Sequence, residues 1–492
     1  MRIQGLPIEK MLKQKFLLIQ SVVILLMIFG FIKLPDISHA EGGIKVFAAK
    51  LTSERKSDVL ISSGILFAPG QLDSEKNFSI FDANGTQIPI AARVLARWPD
   101  DNSIRSLLVQ FPLKIEHNYK PVIIQWGFPR KSKDIAITEV KWILPEAILL
   151  LPAEWLCDSK VIGDQVPWGK HSFPGYDRNI EKYYPAMRDA QLTGDVSEDV
   201  YYSTPHVFYQ LYVRTGDDNY FKSARVEAVR YRNDILKTGP NRGRHRDTDK
   251  TRFIYVEAMI DDYLLTGDEE SLKIAGYMAE YLKNHFKPSE AFYSRKSQRF
   301  WTEREAAFPF LGAIDYYELT RDKDYLKYCD EIMQNLYKTQ NEWPGRGGFI
   351  HNLYSHDPEE GARRDEYGGS PFMTGLLLEA IIKYHSVTNS VIAKDSIIKA
   401  LDWLIKEGLT PDGRSFIYLT CDARKAKGHP DLNLLIAHAF GYGYTISGRE
   451  DYLIKGTAVF EEGVKNAYLE DRKHFNQNYR SSGHFLAYIE EK

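Results

Sequence analysis

One turn is written five times in this chain. "YLLTGDEESL" begins at Tyr263, and versions of it begin at Tyr212 ("YVRTGDDNYF"), Tyr317 ("YELTRDKDYL"), His385 ("HSVTNSVIAK") and Tyr444 ("YTISGREDYL"). Thr215, Thr266, Thr320, Thr388 and Ser447 are spaced by 51, 54, 68 and 59 residues. A period of that size holds two helices and two connections, which is the signature of a helical-hairpin repeat. Gly216, Gly267 and Gly448 suit the left-handed position after a helix. Asp217 and Asp268 suit the cap of the next helix.

The flanking text has helical period: "YVEAMIDDYLLTGD" places Tyr255, Ala258, Met259 and Tyr263 on one face. With the terminal "NQNYRSSGHFLAYIEEK", the recurrences allow about six hairpins. The end repeats carry no polar caps, which favours a closed (α/α)6 toroid over an open solenoid. The TGD turns are short and the other connections long, so helices alternating in direction place the long loops at one end. Long loops inside a domain usually carry function, so the chemistry is expected there, opposite the repeated turn.

Residues 43–152 read differently. Alternating apolar segments such as "KVFAAKLTS" and "DVLISSGILFA" are punctuated by Pro69-Gly70, Asn84-Gly85 and "PDDN", which predicts a small β-barrel or a β-sandwich. Residues 153–182 read as a connection and 183–492 as the toroid, the expected catalytic domain, with the β-domain expected to pack on its loop end and help wall the cleft. Residues 1–40 read as a signal peptide: Lys10, Lys13 and Lys15 precede the apolar run Phe16–Ile32, with Ser38 and Ala40 spaced for cleavage. That run is also long enough for an uncleaved membrane anchor. The expected location is therefore secreted or periplasmic, with or without that anchor. A net charge of -2 and no long basic run exclude an obvious nucleic-acid partner. Cys157, Cys329 and Cys421 are odd in number and far apart, so neither a disulfide framework nor a zinc site is expected.

The segment "ARVLARWPDDNSIRSLLVQFPL" resembles the signature strand pair of the RIFT-type β-barrel that opens exo-rhamnogalacturonan lyase-like and YetA-like proteins. Trp98, Pro99, Asp100, Ser103, Ile104 and Arg105 match its W-P-D-G-S-I-R-W phrase; Asn102 and Ser106 replace the Gly and the second Trp. "EREAAFPFLGAIDYYELT", "SPFMTGLLLEAI" and "FNQNYRSSGHFLAY" are similar to the toroid that follows in those proteins. The resemblance implies action on an extracellular acidic polysaccharide or oligosaccharide. It transfers no catalytic residue.

Four polar clusters stand in the long loops or at the helix starts after them. They contain Arg242, Arg244, His245, Arg246, Asp249 and Arg252; Trp301, Glu303, Arg304 and Glu305; His351, His356, Asp365, Glu366 and Tyr367; and His429, Asp431, Asn433 and His438. His206, Asn476, Tyr479 and Arg480 are candidates for the same end. A β-eliminating lyase needs a group that neutralises the uronate, a base and an acid. The catalytic candidates for that chemistry are Arg244, His245, Glu303, Arg304 and Tyr367. The substrate-binding candidates are His206, Trp301, His351, Asp365, Asn433, Tyr479 and Arg480. Glu303 with Asp365 or Glu366 would instead suit a hydrolase, and an epimerase could use the lyase set. A non-catalytic envelope protein that binds polysaccharide is also open. Plain readings exist too: a solvated basic loop, or acidic residues in a first helical turn. His351, His356 and Asp365 match no tight ligand motif, so no metal or other cofactor is indicated.

Overall fold

The computed structural model describes residues 42–52, 57–139, 143–190, 196–240, 251–286, 288, 302–342, 347–352, 367–420 and 427–490. The leader at 1–40 lies outside them, as do Arg244, His245, Trp301, Asp365 and the side chain of Tyr367. No helix among the described residues is long and apolar enough to cross a membrane.

Eight strands form the N-terminal domain: β1 (Gly42–Lys50), β2 (Asp58–Leu66), β3 (Phe78–Phe81), β4 (Gln87–Ile88), β5 (Ala91–Arg97), β6 (Ile104–Lys114), β7 (Tyr119–Trp126) and β8 (Ala147–Leu150). Their order is β4-β3-β7-β1-β8-β2-β6-β5. The two edge strands, β4 and β5, are separated in the chain only by Pro89 and Ile90. A sheet whose edges are tied so closely has to roll up, and that makes the curled RIFT-like barrel. Val46, Ile61, Ile80, Leu107, Val109 and Ile124 fill it.

The helical region closes into an (α/α)6 toroid. Its outer helices are α2 (Pro174–Arg188), α4 (Asp218–Thr238), α6 (Glu269–His285), α8 (Lys323–Glu342), α10 (Val391–Trp403) and α12 (Glu450–Asn466). Its inner helices are α3 (Thr204–Thr215), α5 (Val256–Thr266), α7 (Glu303–Thr320), α9 (Pro371–Thr388), α11 (Leu434–Ser447) and α14 (Ser482–Glu490). Helix α1 (Ala153–Asp158) joins the domains, and α13 (Arg472–Tyr479) leads into α14. Every residue of α5 is buried, its acidic residues Glu257, Asp261 and Asp262 included. The ring closes where Asn179 of α2 donates to the Val464 carbonyl of α12 (2.9 Å) and Asn476 of α13 donates to Thr204 Oγ1 of α3 (2.7 Å). The first outer helix starts at Pro174, inside the stretch read as connection.

The repeated turn does what its residues suggest. Gly216, Gly267, Arg321, Asn389 and Gly448 all adopt positive φ, and the N–H of each returns to the carbonyl four residues earlier. Asp217 and Asp268 cap the following helices by accepting from Asn219 and Glu270 N–H.

The barrel sits on this short-turn end, not on the loop end where it was expected. Ser106 Oγ donates to the Leu264 carbonyl (2.6 Å), Tyr263 Oη donates to the Leu95 carbonyl (3.3 Å), and Arg321 donates to the Trp98 carbonyl and to Asn102 Oδ1. Small residues at the contact, Gly64 on β2 and Ser106 on β6, permit the approach. A Cβ on Gly64 would lie 2.0 Å from the Leu264 carbonyl oxygen, so only glycine lets the helix end approach. Asn102 takes φ 64°, a left-handed conformation asparagine tolerates, and so replaces the glycine of the family phrase. Ser106, in place of its second Trp, leaves room for α5.

Candidate active site

An axial cavity of about 310 Å³ runs from the middle of the inner helices to the short-turn end, where the barrel roofs it. That volume lies in the range of ligand pockets, roughly 300–1,000 Å³. Trp98, Asp100 and Arg105 come from the barrel, Lys160–Asp164 from the connection, and the remainder mostly from inner helices. Asp100, Lys160 and Ser386 are exposed, so the mouth opens between barrel, connection and α9.

The lining follows the repeat. His206, Glu257, Leu311, Glu379 and His438 each stand ten positions before the left-handed residue that ends their helix, at 216, 267, 321, 389 and 448. One turn further on come Gln210, Asp261, Asp315, Lys383 and Tyr442. Equal phase in equal helices puts each set at one level of the ring, facing the axis.

Arg480 lies across the axis below these rings. Its Nη1 is 2.8 Å from Glu257 and its Nη2 is 3.0 Å from Glu379, while the guanidinium stands 5.3 Å from the Phe308 ring centre. It is fully buried, and among the described residues it closes this side of the cavity. Above, Lys383 Nζ is 2.8 Å from Glu318 and 3.9 Å from Asp315, and Arg105 Nη2 is 2.9 Å from the same Glu318.

Burial then sorts the protons. It pushes the Asp315 carboxyl up to about 8: Lys383 opposes this, and Glu257, Glu318 and Asp261 add to it. Asp261 is raised well above the usual carboxylate range, also by burial. Burial works the same way on Glu318, but Arg105 and then Lys383 outweigh it and hold that carboxyl below its ordinary range. Burial lowers His206 to about 4 and His438 to about 3. His206 is engaged on both ring nitrogens, by Asp261 (2.6 Å) and Gln210 (2.7 Å). His438 lines the cavity with neither ring nitrogen hydrogen-bonded among the described residues. A protonated carboxylic acid, ion-paired carboxylates and a neutral imidazole around one cavity are the parts of acid–base catalysis. Among the described residues no group of His, Cys, Asp and Glu is arranged to hold a metal ion.

Of the candidates named from sequence, His206 lines this cavity and Arg480 braces it. Glu303 and Arg304 start α7 at the other end. Both Glu303 oxygens are used internally, by His351 Nδ1 (2.8 Å) and the Ser370 N–H (2.7 Å). Arg304 Nη1 donates to Tyr201 Oη (3.0 Å). Asn433 is fully buried: its Oδ1 accepts from the Phe416 N–H and its Nδ2 donates to the Arg414 and Val459 carbonyls, so it ties chain segments together. Tyr479 packs buried against Tyr176, with ring centres 5.1 Å apart, and Phe475. All four are buried, and the side-chain polar atoms of Glu303 and Asn433 are fully spent on neighbouring protein. The sequence reading missed Glu257, Asp261, Asp315, Glu318, Glu379 and Lys383. Five of the six carry a signal, as ionisable residues ten (Glu257, Glu379) or six (Asp261, Asp315, Lys383) positions before the left-handed residue of their turn; Glu318 does not.

The comparisons with known proteins bear on the barrel first. Residues 49–105 match the PcRGLX-like N-terminal RIFT barrel domain. The matched span includes Trp98, Asp100 and Arg105, the barrel residues named above in the cavity lining. No curated protein matches the chain in sequence. Solved structures similar in fold include an unsaturated glucuronyl hydrolase from Bacillus sp. GL1 (10% identity, 65% of this chain and 94% of that one, TM-score 0.46). An α-1,6-mannanase from Salegentibacter sp. HEL1_6 is 13% identical over 63% of this chain and 99% of that one, with a TM-score of 0.45. A cellobiose 2-epimerase from Bacillus thermoamylovorans B4167 is 12% identical over 54% and 74%, with a TM-score of 0.42.

Proposed function

We propose that the protein is an exported carbohydrate-active enzyme that cleaves a glycosidic bond near the end of a saccharide chain seated in the axial cavity. One observation carries the reading: the Asp315 carboxyl lines the cavity, 14% exposed and 3.9 Å from Lys383 Nζ, in surroundings whose burial pushes it up to about 8. Such a carboxyl can protonate the leaving oxygen at neutral pH. Glu379, ion-paired to Arg480, is the opposing carboxylate. The blind lower end admits a chain terminus rather than a passing chain. The RIFT barrel match, with the toroid behind it, supports a saccharide as substrate.

A second reading, elimination from a uronate, is favoured by His438. Its neutral, unpartnered ring could take a proton while Lys383 faces the uronate carboxylate. Incubation with neutral and uronate-containing oligosaccharides tests both. Hydrolysis releases reducing ends without ultraviolet absorbance, whereas elimination produces the absorbance of an unsaturated uronate. Binding without turnover of any saccharide overturns the enzyme reading.

A further inference from the structure

We propose that Arg105 is a positioning residue for the axial site: the barrel completes an acid–base centre whose other groups come from the toroid. The proposal rests on the reading of the cavity given above.

The toroid by itself places one cation, Lys383, between two carboxyls. Glu318 is the nearer at 2.8 Å and Asp315 the farther at 3.9 Å. One buried ammonium cannot serve both, and the closer carboxylate dominates it. Arg105 supplies the missing charge from β6. Its Nη2 meets the Glu318 oxygen that Lys383 also meets, and donates to the Val161 carbonyl at 3.1 Å. The guanidinium stands 5.0 Å from the Trp98 ring centre, and Trp98 is fixed in turn by Nε1 donating to the Phe67 carbonyl. Glu318 is thus held from two sides, and Lys383 stays within reach of Asp315.

Packing does not account for this arrangement. The pair is 4% and 8% exposed, and a buried ion pair is poor value for stability compared with apolar residues of the same volume. Arg105 Nε and Nη1 also find no hydrogen-bond partner among the described residues, so the docking leaves its fork half used. Charged groups surround the Glu318–Asp315 pair on α7: Arg105 from β6 and Lys383 from α9 act on Glu318, and Lys383 from α9 with Glu257 and Asp261 from α5 act on Asp315. Only Arg105 belongs to the barrel.

The experiment compares the full chain with Arg105→Gln and Arg105→Lys in two measurements. The first is the free energy of unfolding between about pH 4 and pH 8. In the wild type Glu318 holds its proton less tightly than in the unfolded chain, so its contribution is complete above the ordinary carboxylate range. In the Gln variant burial is opposed by Lys383 alone, the carboxyl rises, and stability declines as pH rises. The gap between wild type and Gln variant therefore widens with pH, and Lys narrows it. A gap constant over this range makes Arg105 a packing residue and overturns the proposal. The second measurement is turnover of the saccharide that the wild type cleaves. The Gln variant is expected to lose about tenfold in kcat with little change in KM, and its alkaline limb moves to higher pH as Lys383 is drawn from Asp315 to Glu318. A wild type that cleaves nothing overturns the reading of the cavity, whichever way the unfolding curves run.

Discussion

The two ends of the toroid use charge in opposite ways. At the loop end, Glu303 and Asn433 are surrounded by backbone and side-chain partners, and every polar atom on either is matched. At the barrel end, two carboxyls and a histidine are buried with too few counter-charges, so Asp315 and Asp261 stay protonated and His438 stays neutral. A satisfied polar group contributes to the fold, whereas an unsatisfied one beside a cavity is poised for a ligand. Burial alone does not separate Glu303 and Asn433 from His438; hydrogen-bond accounting does.

Substitutions can break that contrast, and the largest effect is expected at Asp315. Asp315→Asn should lower turnover by at least about 100-fold. The same change should stabilise the protein at neutral pH. A carboxyl that holds its proton more tightly when folded loses stability as pH rises from the ordinary range toward about 8, and asparagine has no such loss. Urea melts at pH 5 and pH 8 check this: the variant's advantage should grow with pH. If activity survives, its alkaline limb in the wild type should also lie away from pH 8, and Asp315 is not the acid.

Arg480→Met strands Glu257 and Glu379 together and should cost about 3–5 kcal/mol in denaturant unfolding. Asn433→Ala sharpens the contrast from the loop end. It leaves the Phe416 N–H and two carbonyls unmet, for about 2–3 kcal/mol, and turnover per folded molecule should be unchanged. A change in KM there would mean that the loop end meets substrate. Gly64→Ala forces a methyl against the Leu264 carbonyl and should cost about 1–3 kcal/mol by pushing the barrel off the turn. Asn102→Gly is the mildest. It keeps the left-handed turn but loses the Arg321 contact, and its melting point should fall by only a few degrees.

Much of the architecture was legible because its causes are local. A glycine or asparagine that accepts positive φ, followed by an aspartate that caps, ends one helix and begins another wherever it occurs, and five occurrences count the hairpins. The W-P-D…S-I-R phrase was likewise readable as a strand pair, since its turn is closed by Ser103 Oγ donating to Asp101 and by the Trp98 N–H donating to the Ser103 carbonyl. The site was less legible. Attention went to the long loops, because loops commonly carry function, while Asp261, Asp315 and Lys383 lay inside strongly helical text. They become a site only when the ring brings their separate helices to one axis.

The sequence by itself therefore determined the number of hairpins, the conformation of their turns and the strand character of the first domain, since each depends on neighbours within a few residues. Only the tertiary structure decided which end the barrel covers and which carboxyls keep their protons. Those outcomes depend on burial and on charges contributed by segments more than fifty residues apart, such as Asp261, Asp315 and Lys383, and proximity of that kind exists only after the ring has closed.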